Sequence, residues 1–247
     1  MDIIGKHKIL VLSLALLIPL SVLSIVFKPW QRIVISVDEN NLPKFIQANF
    51  IDLTSIRRIS KFRSGAGHDY SDFYESCRSM KHYFDPTVDI TKWHNPTPGS
   101  PAKPFINIYS PVSGTVTSMF AEQFPIGMQI HIVPESAPAY TVILFHVYPE
   151  PGIHTGSVLT AGEKIGHIGS DQQTDIAVKV LTIRGPKNIS YFSVMSDSVF
   201  AEYAKRGIAS REALVITKSA RDASPLTCNG EMFSSNEFNP ADWVSLN

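Results

Sequence analysis

Between residues 105 and 181 glycine and proline cut the chain into short lengths, and the lengths between the cuts suit β-strands. Ile106-Asn107-Ile108-Tyr109, Thr115-Val116-Thr117, Met128-Gln129-Ile130-His131-Ile132-Val133 and the run from Tyr140 to Val147 are rich in β-branched and aromatic residues. Pro111, Gly114, Pro125, Gly127, Pro134, Pro138, Pro149, Gly152, Gly156, Gly162, Gly166 and Gly169 punctuate them at turn-compatible places. Such breaks leave no room for helices of ordinary length, so the spacing predicts a mainly β, antiparallel fold of sandwich or barrel type. Helix is expected only beyond it. Asp197 reads as the N-cap of a helix through Phe200 and Tyr203 that Gly207 ends, and a second helical segment starts near Ser210.

The length of 247 residues fits one domain, or a domain with an appendage. Lysine and arginine number 22 against 22 aspartates and glutamates, with no basic cluster, which argues against nucleic acid as a partner. Lys6 and Lys8 precede an apolar stretch, residues 9–27, that carries no charge and ends at Lys28-Pro29-Trp30. Its length is near the ~20 residues that cross a bilayer and exceeds the roughly 7–15 of a signal-peptide core. It reads as an uncleaved membrane anchor or a cleaved secretion signal, with a buried helix as the remaining alternative. In the first two readings the rest of the chain is exported, and Cys77 and Cys228 then form a plausible disulfide.

Gly67-His68-Asp69-Tyr70-Ser71-Asp72 places a histidine and an aspartate at a spacing suited to one metal ion, yet no histidine follows His167. Catalytic zinc takes three protein ligands and keeps one open position. Together with Pro111-Val112-Ser113-Gly114-Thr115-Val116, Leu144-Phe145-His146-Val147 and the hairpin from Gly156 through Gly162 to Ile165-Gly166, this segment resembles the lysostaphin/LytM-type zinc endopeptidases, the M23 peptidase family. Members of that family cut peptide cross-links of bacterial cell walls, and the similarity covers about half of the chain. With the apolar stretch it divides the chain into four parts: an N-terminal signal anchor or signal peptide at 1–30, an extension at 31–59, an M23 peptidase-like β domain at 60–185, and a C-terminal extension at 186–247 with some helix, packed on that core.

The resemblance also implies roles. His68 and Asp72 fall at metal-ligand positions. His146 falls at the histidine of the family's Tyr-x-His-Leu strand, where protons move and an oxyanion is steadied, although Leu144 replaces the tyrosine. The His-x-His strand aligns with Asp175-Ile176-Ala177, so Asp175 takes the catalytic position and alanine the third ligand's. Strand alternation puts Asp175, Ala177 and Lys179 on one face. The Lys179 ammonium is therefore expected to stand in for the cation by pairing with Asp72 or Asp175.

The reading that follows is an exported, membrane-tethered protein of the cell envelope with a degenerate zinc site. It has no expected cofactor, no hydrolytic capacity, and a groove for cell-wall peptide or a periplasmic or extracellular partner protein. The alternative is an active zinc metalloendopeptidase cleaving peptidoglycan cross-links, with Asp175 or a loop histidine such as His94 as third ligand. His131 reads as structural, and His82 and His154 as lying in or near loops. Biotinyl and lipoyl carriers share the turn motifs but need a hairpin-tip lysine, which residues 134–138 lack.

Overall fold

The computed structural model describes residues 32–87, 105–123, 126–169, 172–234 and 239–247. The apolar stretch at 9–27 and His94 lie outside them. Among the described residues no helix is long and apolar enough to cross a membrane.

The fold is mainly antiparallel β. In chain order the strands are β1 (Ile56–Ser60), β2 (His82–Pro86), β3 (Phe105–Tyr109), β4 (Gly114–Gln123), β5 (Ile126–Pro134), β6 (Tyr140–Pro149), β7 (Val158–Leu159), β8 (Lys164–Gly169), β9 (Thr174–Thr182), β10 (Gly185–Ile189), β11 (Cys228–Asn229), β12 (Met232–Phe233) and β13 (Trp243–Ser245). Eleven strands form one sheet whose main path runs β13-β1-β2-β9-β6-β5-β4-β7. β10 pairs with β9, and β8 joins β3 to β6, while β11 and β12 make a separate hairpin. The strand runs at Ile106, Thr115, Met128 and Tyr140 all appear, and β4 continues well past the expected triplet. The strand-like stretch near Ile33 reduces to a single parallel bridge, Val34 to Thr182.

Alternation along β6 and β9 sets up two faces. Val142, Leu144, Ile176, Val178 and Val180 enter the main core, which also holds Phe50, Phe84, Tyr191, Phe192 and Tyr203. Each such side chain removed from water is worth roughly 1.5–3 kcal/mol. The Phe50 and Phe84 rings meet edge to face at 4.7 Å, and Phe192 meets Tyr203 at 5.0 Å. On the opposite face Ile143, Phe145 and Ala177 form a second, small cluster against Tyr70. Gly114, in the Pro-x-x-Gly turn, has to be glycine, since a Cβ there would lie 2.3 Å from the Val133 carbonyl oxygen.

Two helices lie between β10 and β11, α1 (Asp197–Lys205) and α2 (Lys218–Ala223). Ser196, not Asp197, caps α1: its hydroxyl accepts from the Val199 amide, and Asp197 sits in the first turn, where a negative charge favours the helix dipole. Gly207, at φ +90, follows the end of α1 as expected. Near Ser210 the chain makes the expected helical segment as one 3-10 turn, Glu212–Leu214, and α2 follows with Thr217 as its cap. The boundaries drawn at 59/60 and 185/186 both fall inside paired strands, because β1 carries β13 on one edge and β10 lies along β9.

Candidate functional site

The second face is where the chemistry-bearing side chains collect. β2 pairs with β9 so that Tyr83 stands opposite Asp175, and β9 pairs with β6 so that Ala177 stands opposite Ile143. β5 extends the same row with His131 opposite Ile143, and β4 adds Phe120 opposite Gln129.

His146 reaches this face through a bulge. Between Ile130 and Met128 of β5 there are two steps, whereas their partners Leu144 and Val147 on β6 are three apart. The extra residue takes a left-handed conformation, His146 at φ +62, which non-glycine residues rarely adopt. Opposite it Gly127 has φ +149 and leaves no room for a Cβ, which would come within 2.5 Å of the His146 backbone. Simple alternation would send His146 to the core side with Leu144. The bulge turns it towards Asp175 instead.

There the His146 imidazole lies between two carboxylates, Nδ1 at 3.0 Å from Oε2 of Glu122 and Nε2 at 3.1 Å from Oδ1 of Asp175. Its own backbone N–H also donates to Glu122, at 2.6 Å. Burial opposes the imidazolium, but the two carboxylates outweigh it and raise the pKa to about 9. At neutral pH this histidine is charged, and a charged imidazole is neither a general base nor a metal ligand.

The other oxygen of Asp175 is ion-paired with Lys81, a residue absent from the sequence-based expectation. Lys81 is 2% exposed and Asp175 fully buried. Burial works against the Asp175 carboxylate, yet Lys81 and His146 hold it below the usual carboxylate range. Burial likewise works against the Lys81 ammonium, and Asp175 more than compensates, holding its pKa above the ordinary lysine value. The Lys81 Nζ also lies 3.2 Å from Nε2 of His68 and faces the rings of Phe145, Tyr70 and Tyr83 at 4.3, 4.9 and 4.9 Å, which supply cation–π stabilisation in place of water. The His68 Nδ1 is 2.9 Å from the Asp69 carbonyl oxygen. A carbonyl can only accept and an ammonium only donate, so Nδ1 carries the proton and the lone pair on Nε2 is taken by lysine.

Lys179 is not the partner of Asp175; of its two expected carboxylates it is Asp72 whose charge acts on it. This lysine is four residues further along β9, roughly 13 Å of strand, and its ammonium rests 4.9 Å above the Tyr70 ring. Asp72 is also elsewhere: its Oδ1 accepts from the backbone N–H groups of Tyr74 and Glu75, at 2.7 and 3.0 Å, and its Oδ2 from that of Asn188, at 2.7 Å. This aspartate builds a turn and ties it to β10. Among the described residues no three histidine, cysteine, aspartate or glutamate side chains gather where they could hold a metal ion. The donor set at His68 does not fit zinc.

Of the other histidines, His82 opens β2 instead of lying in a loop. Fully buried, it contacts the Ser60 carbonyl oxygen at 2.8 Å and the Ser190 hydroxyl at 2.9 Å, and burial pushes its pKa down to about 4. His131 lies 2.7 Å from Oε1 of Gln129 and stands edge-on to Phe120, while His154 sits in the exposed loop before β7. Phe120 is 53% exposed, so this face meets solvent at β4, beyond the buried Lys81–Asp175–His146 cluster.

A disulfide backs the segment carrying His68, Tyr70 and Asp72. Cys77 and Cys228 are bonded across 151 residues, with Cα atoms 5.7 Å apart. The Asp69 amide donates to the Glu231 carbonyl at 2.7 Å, so the β11–β12 hairpin braces this segment from behind. The expected pairing of the two cysteines is present.

No protein-family model matches the chain, and no curated protein sequence does. Solved structures align with part of the chain. Helicobacter pylori Csd3 in its orthorhombic crystal aligns at 18% identity over 66% of this chain and 41% of that one, with a TM-score of 0.41. The hexagonal crystal of Csd3 gives 18% identity over 66% and 39%, with a TM-score of 0.36. The solution structure of lysostaphin gives 11% identity over 52% of this chain and 51% of that one, with a TM-score of 0.33. The chain thus spans about two fifths of Csd3 and half of lysostaphin.

Proposed function

We propose that this chain is an exported, membrane-tethered protein of the cell envelope with an M23 peptidase-like β domain, and that it binds cell-wall peptide or a partner protein without hydrolysing it. The observation that carries this reading is the Lys81 ammonium, lodged between Nε2 of His68 and the carboxylate of Asp175. A lysine there takes the lone pair that a metal would need and neutralises the carboxylate beside it. The charged state of His146 supports the same reading, because hydrolysis needs a group that accepts a proton from water. The opening beside the pocket supports binding. Phe120 offers an exposed ring, and His131 and Gln129 offer hydrogen-bonding edges, a mixture suited to an extended peptide. The disulfide favours an oxidising compartment.

The test uses the purified full chain in detergent, incubated with isolated peptidoglycan. Co-sedimentation without release of soluble fragments, by protein holding far less than one zinc per chain, is the expected result. Retention in the supernatant, with capture of a single envelope protein instead, assigns this face to a partner. Release of fragments that chelator blocks and His68→Ala abolishes overturns the proposal.

A further inference from the structure

Away from the pocket, the hairpin between β9 and β10 meets the first described residues of the chain. Val34 bridges Thr182 in parallel, its amide donating to Leu181 and its carbonyl accepting from Ile183, both at 3.0 Å. Val34 packs against the core and Thr182 is buried, so their neighbours Ile33, Ile35, Leu181 and Ile183 turn the other way. These four are 46%, 79%, 40% and 66% exposed. Pro186, exposed and opposite Leu181 on β10, extends the patch, and exposed Arg32 and Arg184 adjoin it in sequence. Single exposed apolar residues are ordinary, but five on one face of one edge mark a contact surface.

Chain length says what meets it. The apolar stretch ends at Phe27, and Lys28 to Arg32 is the whole connection to Ile33. At about 3.3–3.6 Å per residue these residues reach no further than roughly 18 Å. Taking that stretch as a membrane anchor, on which this inference rests, the patch stays within reach of the lipid headgroups. We infer that the face formed by Ile33, Ile35, Leu181, Ile183 and Pro186 docks on the bilayer surface, its isoleucines entering the headgroup–acyl boundary and Arg32 and Arg184 facing anionic lipid. This fixes how the domain stands on the membrane, instead of leaving it to swing on its linker.

The test places a single cysteine in the full chain, at Ile183→Cys or Ile35→Cys in the patch and at Ala201→Cys on the exposed side of α1; the native cysteines are already paired. Each variant is labelled with an environment-sensitive fluorophore and reconstituted in vesicles of phosphatidylcholine and phosphatidylglycerol. Docking predicts that iodide quenches the 183 and 35 labels several-fold less than the 201 label, while lipid-borne quenchers reach only the former. Equal access of iodide to all three overturns it. So does protection that fades as the protein is diluted within the bilayer, since a second copy then covers the patch. Alkaline carbonate extraction of the same vesicles reports the anchor separately: protein that stays membrane-bound with water-accessible labels sinks the docking alone, and protein that is released sinks the tether.

Discussion

Lys81 and Asp175 form an ion pair that water does not reach, and each is the reason the other can stay charged. An unpartnered charge in such a place costs several kcal/mol, whereas a pair with further contacts comes close to breaking even. Asp175 has His146 as a second partner and Lys81 has three rings and His68, so the cluster is coupled throughout.

Replacing Lys81 by methionine keeps the volume and strands the carboxylate. The expected loss is about 3–5 kcal/mol for Lys81→Met, with the Lys81→Met/Asp175→Asn double variant recovering a substantial part of it. Urea unfolding of the four proteins measures the coupling; additivity within about 0.5 kcal/mol would show that the pair does not hold the pocket together.

The pH dependence follows from His146. Its pKa is about 9 in the folded chain and near 6.5 in an unfolded one, so the stability it contributes is complete below pH 6.5 and is lost as the pH rises through 9. The contribution is on the order of 3 kcal/mol. Asp175, held below the usual carboxylate range, gives the opposite limb, lost only in acid. Urea midpoints from pH 6 to pH 10 should fall for the native protein and stay nearly level for His146→Gln; parallel curves would remove His146 from the account.

At the bulge, Gly127→Ala forces a methyl against the His146 backbone and should destabilise the protein by about 1–3 kcal/mol. Because the imidazole is then shifted from Glu122 and Asp175, its pKa should drop towards the ordinary value. An NMR titration of the histidine ring protons reads this directly, and an unchanged midpoint near 9 would mean that the bulge is not what aims the side chain.

Removing the disulfide with Cys77→Ser and Cys228→Ser should cost about 2–5 kcal/mol. Amide exchange should quicken across residues 67–79 while β6 and β9 remain protected. Uniform exchange over the whole sheet would contradict the view that the bond braces the segment over the pocket.

The strands of the central region were legible because β-branched runs and turn residues alternate there at short intervals, and the cysteine pairing was legible once export was supposed. β2 was not. His82, Tyr83, Phe84, Asp85 and Pro86 are all buried, so the stretch has no inside–outside alternation, and its proline and charges look like a loop. Lys81 is hidden with it, whereas Lys179 is legible because strand alternation puts it on the face of Asp175. His146 was ambiguous for a different reason: a bulge reverses the face of one residue without leaving a mark in composition. Asp72 shows the limit of spacing, since a histidine and an aspartate four apart serve a turn here as readily as a ligand pair.

Counted at neutral pH, the pocket is electroneutral: two positive groups, Lys81 and His146, balance two negative ones, Asp175 and Glu122. A dication entering it would leave a surplus of two charges in a space without solvent to absorb them, unless Lys81 and His146 surrendered protons first. Metal uptake would then acidify the surrounding solution and strengthen with alkalinity, a signature that proton release during a zinc titration would make visible.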